Sequence, residues 1–168
     1  MSEIVNKVKL SKLVTVDLEK LIADEDIQEL DLKDFLFHGM ILKEKEFREK
    51  MDAHSWEIYK NANLTVYCST DAIIPKWAYM LVVQHADPYV SGLFFGSRKD
   101  AMSQLFKKKV DELNWEAYKD KFVLLKGCSK VDIPADIYMY ATQKLLPHVN
   151  KLMYGEACSN VPVYRKLS

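Results

Sequence analysis

The sequence predicts an α/β fold: a mostly parallel sheet flanked by helices, built around a duplicated strand–helix–strand unit. Three observations lead there. Short apolar runs rich in β-formers alternate with stretches whose apolar residues recur at helical spacing. Prolines stand where those helices should begin and end. The chain also repeats itself: Trp56, Tyr59, Pro75, Tyr79, Met80, Gln84, Pro88 and Gly96 recur as Trp115, Tyr118, Pro134, Tyr138, Met139, Gln143, Pro147 and Gly155, all at an offset of 59. The predicted repeat covers 56–96 and 115–155 within a single α/β domain spanning 1–168.

The first twenty residues carry no assignment. Ile27 to Leu32 is expected to pair with a strand over Phe35–Leu42 around Lys33-Asp34, although that turn lacks Gly or Asn. Lys43 to Met51 reads as a helix with Phe47 and Met51 facing inward. In the first repeat, Leu64–Tyr67 is a strand, a helix runs from about 75 to 87, and Leu93–Phe95 returns as a strand closing on Gly96. The second repeat follows the same order, with strands at Phe122–Leu125 and Leu152–Tyr154 around a helix from about 134 to 146. Pro75 and Pro134 are placed at the first helical position, where a missing N–H costs nothing, and Pro88 and Pro147 stop each helix. With a helix as crossover, the two strands of each repeat should be parallel and the crossover right-handed. Between the repeats, Ala101, Met102, Leu105, Phe106, Val110 and Leu113 line one side of a helix over Arg98–Leu113, and Lys107–Lys109 form its solvated face.

Composition narrows the function classes. The 168 residues are 49% hydrophobic and 29% charged, enough apolar content for a real core. The 24 basic side chains balance 24 acidic ones, which excludes a global basic field for nucleic acid or an anionic membrane. The longest apolar run, Trp77–Val83, is far short of the roughly 20 residues of a membrane span. The opening Met-Ser-Glu-Ile-Val-Asn-Lys lacks a charged-then-apolar signal pattern, so the expected compartment is the cytoplasm. No glycine-rich phosphate loop and no nucleophile–histidine arrangement names a reaction.

The candidate chemistry lies in three cysteines, each followed by serine: Cys68, Cys128 and Cys158. If the strands are parallel, their carboxyl ends share one sheet edge, where ligands of open α/β sheets bind. Cys68 and Cys128 pair at an offset of 60, which places them at equivalent strand ends beside helix amino termini, and Cys158 follows the last strand. Thiolates suit zinc, Cu(I) and iron–sulphur clusters, because ligand and metal are both soft. Glu156 or Asp71 would complete or orient such a site. Two competing readings remain: a non-enzymatic protein-interaction domain with buried, structural cysteines, and a thiol redox protein. Among the histidines, His38 reads as a core residue, His54 and His85 as exposed positions near helix ends, and His148 as a helix-end residue. Trp56 with Tyr59, and Trp115 with Tyr118, should cap the core.

The segments LDLKDFLFHGMILKEKEFRE, VYCSTDAIIPKWAYML, KGCS and LMYGEACSNVPVYRK resemble a bacterial family of unknown function (domain of unknown function 2480), over essentially the whole chain. Cys68, Asp71, Pro75, Trp77, Cys128, Gly155, Glu156 and Cys158 fall on its recurring segments. The resemblance implies no established activity. It does imply iron–sulphur assembly proteins as partners, through the neighbourhood of the family's genes. The combined expectation is an accessory of iron–sulphur cluster assembly that binds zinc or a cluster through the three cysteines.

Overall fold

A computed structural model describes residues 12–22, 25–127 and 132–167. In chain order its strands are β1 (Leu13–Asp17), β2 (Ile27–Asp31), β3 (Asn63–Tyr67), β4 (Gly92–Phe95), β5 (Phe122–Lys126), β6 (Lys151–Glu156) and β7 (Ser159–Arg165). Its α-helices are α1 (Glu44–Ala53), α2 (Lys76–Ala86), α3 (Arg98–Asp111) and α4 (Ala135–Leu145). Two compact units result. Residues 24–104 form one, inserted between the two segments, 1–23 and 105–168, that form the other. They are called here the inserted unit and the split unit.

The fold is α/β as expected, with two mostly parallel sheets, one in each unit. The inserted unit carries β2-β3-β4, all parallel. The split unit carries β1-β5-β6-β7, parallel except for the β6–β7 hairpin. Two sheets form because β3 and β5 each pair with a different earlier strand, β2 for β3 and β1 for β5.

The inner strands are buried as parallel strands require. Leu64 and Thr65 of β3 are fully buried, and the Thr65 hydroxyl donates to the Gly96 carbonyl at 2.6 Å. In β5, Val123, Leu124 and Leu125 are buried in succession. Helix α1 buries Phe47 and Met51 as predicted, and α3 buries Ala101, Leu105, Phe106 and Val110, while Met102 and Leu113 stay half-buried. The prolines stand one residue earlier than expected. Pro75 and Pro134 are N-caps with extended ψ of 145° and 142°, and their carbonyls accept the amides of Ala78 and Ile137.

Phe35–Leu42 is not a strand. The Asp31 carboxylate accepts the Lys33 amide at 3.0 Å and starts a 3-10 turn over Leu32–Phe35. His38 and Gly39 then take φ of 50° and 70°, leaving one antiparallel bridge between Phe37 and Ile41. β2 is therefore free to pair with β3 rather than fold back as a hairpin. Two strands lay outside the predicted set: β1, within the unassigned first twenty residues, and β7, which returns on β6 through Ala157-Cys158.

The repeat segments run through the same elements at the same offset. The 3-10 turns Trp56–Tyr59 and Trp115–Tyr118, then β3 and β5, α2 and α4, and β4 and β6 each begin 59 residues apart. Asn61 and Asp120 both take a left-handed φ, 63° and 58°, and Gly96 and Gly155 take 113° and 115°.

Candidate functional site

In the split unit, β1, β5 and β6 bring their carboxyl ends to one edge, where they carry Asp17, Lys126 and Glu156. The Lys126 Nζ lies 2.9 Å from Glu156 Oε1 and 3.7 Å from Asp17 Oδ2. The Lys126 and Asp17 side chains are mostly covered, while Glu156 is 61% exposed. The Glu156 carboxylate is thus half of an ion pair that reaches into solvent. Cys158 occupies the exposed turn two residues beyond Glu156, as a free thiol. Cys128 lies outside the described residues; it follows Lys126 by two positions, as Cys158 follows Glu156.

Between Lys126 and that segment stands Gly127. A side chain there would collide with the Tyr138 hydroxyl and with Ile133, so glycine is what lets α4 lay Tyr138 across the strand end. Burial pushes the Tyr138 hydroxyl pKa up, with the charges of Tyr154, Asp132 and Asp17 adding to it. The Tyr138 and Tyr154 rings meet edge to face at 5.7 Å.

The inserted unit's carboxyl edge carries Asp31, Cys68 and Phe95. Cys68 is half-buried against the core, and its Sγ lies 3.3 Å from the Thr70 hydroxyl. Thr70 in turn donates to the Gly39 carbonyl at 3.0 Å, tying this loop to the 38–40 turn. Burial opposes the Asp31 charge, but hydrogen bonds from the Ser69 side chain and from the Lys33 and Ser69 amides outweigh it and hold this carboxyl below the usual range. Asp71 is exposed on the following loop.

The predicted ligand residues therefore divide. Glu156 and Cys158 share the split unit's edge, and Cys68 and Asp71 share the inserted unit's. Among the described residues, no group of three or more His, Cys, Asp or Glu is placed to hold a metal ion. Cys68 and Cys128 pair at 60 rather than 59, a slip of one residue in an otherwise constant offset. β3, β5, α2 and α4 keep the 59-residue offset on both sides of the loop, so the place Cys68 takes after β3 belongs to Gly127 after β5. Nor does Cys68 abut a helix start in the chain, since residues 69–75 intervene before α2.

Three histidine expectations are also corrected. His38 is exposed on its turn, not in the core. His54 and His85 are partly buried: His85 stacks on Trp56 at 5.6 Å, and His54 packs against Phe35, Trp56 and Tyr59. The Trp56–Tyr59 pair caps its core as expected, with Trp56 Nε1 donating to the Met51 carbonyl at 2.9 Å. Trp115 and Tyr118 are only half-buried.

Each unit also has an apolar cavity between its second helix and its sheet. In the split unit it measures about 400 Å³, with Leu125, Tyr138, Met139, Leu152, Tyr154 and Val163 among its walls. In the inserted unit it measures about 180 Å³, with Val66, Tyr79, Leu93 and Phe95 at positions 59 residues earlier. The larger one has an added wall from β7.

Sequence reading missed Lys126, Asp17 and Tyr138. A charged residue closing each of the runs LVTVD and FVLLK was the available signal. Their pairing joins strands over a hundred residues apart and could not be read from spacing.

The family model for proteins of unknown function (DUF2480) matches residues 2–166. Searches of curated proteins and of solved structures return no match. Among the described residues, no helix is long and apolar enough to cross a membrane.

Proposed function

Because this chain belongs to that family of proteins of unknown function, we propose a role from its own residues: it handles a soft metal ion or an iron–sulphur cluster through thiols at the carboxyl edge of the split unit's sheet. The setting is the cytoplasm, as an accessory that works with iron–sulphur assembly proteins. One observation carries the reading. The Lys126–Glu156 pair at 2.9 Å fixes adjacent strand ends, and each is followed two residues later by a cysteine. Two residues of chain span at most about 7 Å, so Cys158 stays tethered to that pair. Cys158 is exposed and unbridged, as a ligand or transfer thiol must be. Glu156, released from Lys126, supplies an oxygen. Two sulphurs and one carboxylate leave a tetrahedral zinc with an open position, or leave a cluster to complete its ligand set from a partner.

The test is elemental analysis and an absorption spectrum on the full chain purified without oxygen. Stoichiometric zinc or iron that disappears in Cys128→Ser and Cys158→Ser, but survives in Cys68→Ser, is the expected result. Metal content that is absent from the start, or unchanged by Cys128→Ser and Cys158→Ser, overturns the reading.

A second reading, a protein-interaction domain, is favoured by the apolar cavity of the split unit and by Met139, Tyr154, Val161 and Val163, which stand 74%, 49%, 61% and 54% exposed around it. Under that reading Met139→Glu abolishes partner binding while the cysteine variants retain it.

A further inference from the structure

The opposite, amino edge of the split unit's sheet holds a second cavity, of about 420 Å³, lined by Phe122, Asn150, Lys151, Arg165, Lys166 and Leu167. Three of its six lining residues are cationic and none is acidic. Register explains why they converge. Leu13, Phe122, Lys151 and Arg165 are successive partners across β1, β5, β6 and β7, so their side chains form one row on one face. Lys151 and Arg165 therefore stand directly opposed, where like charges destabilise a strand pair. Lys166 follows, its amide held by the Asn150 carbonyl at 2.9 Å. Among the described residues no carboxylate pairs with Lys151, Arg165 or Lys166, whereas Lys107, Lys126 and Lys144 of the same unit all have acidic partners. Beside Lys151 in that row stands an aromatic ring, Phe122, which is 41% exposed, and Leu167 beside the cavity is 93% exposed.

We propose that this cavity is a binding site for a small phosphate monoester, its phosphoryl group held by Lys151, Arg165 and Lys166 and its apolar part set against Phe122. Three uncompensated cations around one cavity match a dianion better than a monocarboxylate, because each added charge is attracted by the whole set. The Arg165 guanidinium supplies the planar fork that binds two phosphoryl oxygens at once, and the lysines supply mobile point charges. A bound dianion also removes the repulsion across the Lys151–Arg165 pair. The site is independent of the thiol edge: it lies at the other end of the same strands and uses none of its residues.

The test follows backbone amide shifts of the isotopically labelled full chain during titration at constant ionic strength, first with inorganic phosphate and then with phenyl phosphate. Saturable shifts centred on Asn150, Lys151, Arg165 and Lys166 are expected, with phenyl phosphate binding about tenfold tighter, as burial of one ring face against Phe122 implies. Lys151→Gln combined with Arg165→Gln should weaken both probes by about tenfold or more, and Phe122→Ala should erase the preference for phenyl phosphate. Arg165→Gln alone moves affinity in the same direction, should the double variant fail to keep its amide dispersion. Lys144→Gln removes a cation already paired with Asp111 and should leave binding unchanged. Shifts that grow linearly without saturating, that scatter over other basic residues, or that persist unchanged in the glutamine variants overturn the site. Equal affinity for the two probes overturns the role of Phe122.

Discussion

The segments Trp56–Gly96 and Trp115–Gly155 have the same backbone itinerary and different interiors. Both open on a 3-10 turn, pass through a left-handed residue at Asn61 or Asp120, enter a parallel strand, cap a helix with proline, and close on a glycine at φ of 113° or 115°. In the first, Trp56 and Tyr59 are each 6% exposed and the indole N–H is bonded to Met51. In the second, Trp115 and Tyr118 are half-buried, and the Trp115 Nε1 is covered yet has no partner among the described residues. The strand after Trp56 is followed by Cys68, packed on its core; the strand after Trp115 ends in Lys126 and is followed by Gly127, with Tyr138 laid across them. β4 is an edge strand, whereas β6 is covered by β7. Punctuation thus sets the path in both segments, while the residues between the punctuation marks decide what each edge can do.

The strongest way to break the comparison is through the two tryptophans. Trp56→Ala removes a buried ring and leaves the Met51 carbonyl without its indole donor, at an expected cost of about 3–5 kcal/mol. Trp115→Ala exposes less and breaks no hydrogen bond, at an expected cost of about 1–2 kcal/mol. The phenylalanine substitutions sharpen the contrast. Trp56→Phe should still cost about 1 kcal/mol, while Trp115→Phe relieves a covered, unbonded N–H and should be neutral or slightly stabilising. Urea unfolding of the four variants measures these differences, and equal costs at the two positions would mean that the two caps are energetically alike.

The parts of this architecture legible in the sequence are those set by local chemistry. Prolines placed both crossover helices to within a residue or two, and the apolar spacing of Phe47, Met51, Leu105, Phe106 and Val110 placed the inward faces of α1 and α3. Where structure depends on distant pairing, the reading failed. β1 is a short run of β-formers, LVTV, whose place in a sheet rests on pairing with β5, far along the chain. β7 contains Pro162, which argues against a strand in sequence but is tolerated on an edge, here beside a register shift at Leu152/Met153. The 35–42 run looks like a strand because it is apolar, but the Asp31 carboxylate and the positive φ of His38 and Gly39 turn it into a loop. At the candidate edge, Cys158 and Glu156 were visible as residue types. Lys126 and Asp17 were not, because a cation gains its meaning only from the strands that bracket it.

Glycine at the close of each segment gives the next largest difference. Positive φ strains any side chain at Gly96 or Gly155, a cost of about 1–2 kcal/mol for alanine at either position. The surroundings then separate them. A Cβ at Gly96 would meet the Asp100 side chain at 2.8 Å, which can swing aside at the loss of its bonds to Ser97. A Cβ at Gly155 would meet the Ser159 carbonyl at 2.7 Å, backbone of the hairpin turn that carries Cys158. Gly155→Ala should therefore cost about 1 kcal/mol more than Gly96→Ala in thermal or urea unfolding. If the proposed metal role holds, it also disturbs metal retention, which Gly96→Ala leaves alone. Equal stabilities would show that the hairpin turn yields as easily as a side chain.

The smallest expected effect is a pH dependence confined to the inserted unit. His54 sits among Phe35, Trp56 and Tyr59, its Nε2 3.3 Å from the Tyr59 hydroxyl, and burial lowers its pKa below the ordinary 6.5. The cavity it lines also holds Glu29, Asp31, Asp34 and Lys50, and desolvation is what lowers the value. Between the lowered folded value and 6.5 the unfolded chain binds a proton that the folded chain does not. Stability contributed by the neutral imidazole is thus complete above 6.5 and declines as pH falls through that value, levelling off below the folded pKa. Asp31 acts in a different window: its carboxyl is held below 3.8, so its contribution is intact at pH 5 and is lost only as pH drops through the folded value. A melting series from pH 7.5 to 5 should fall in the native chain and flatten in His54→Gln, while Asp31→Asn changes the slope only at more acid pH. An unaltered slope in His54→Gln would remove the imidazole from the account and leave the aromatic cap of the inserted unit indifferent to protonation.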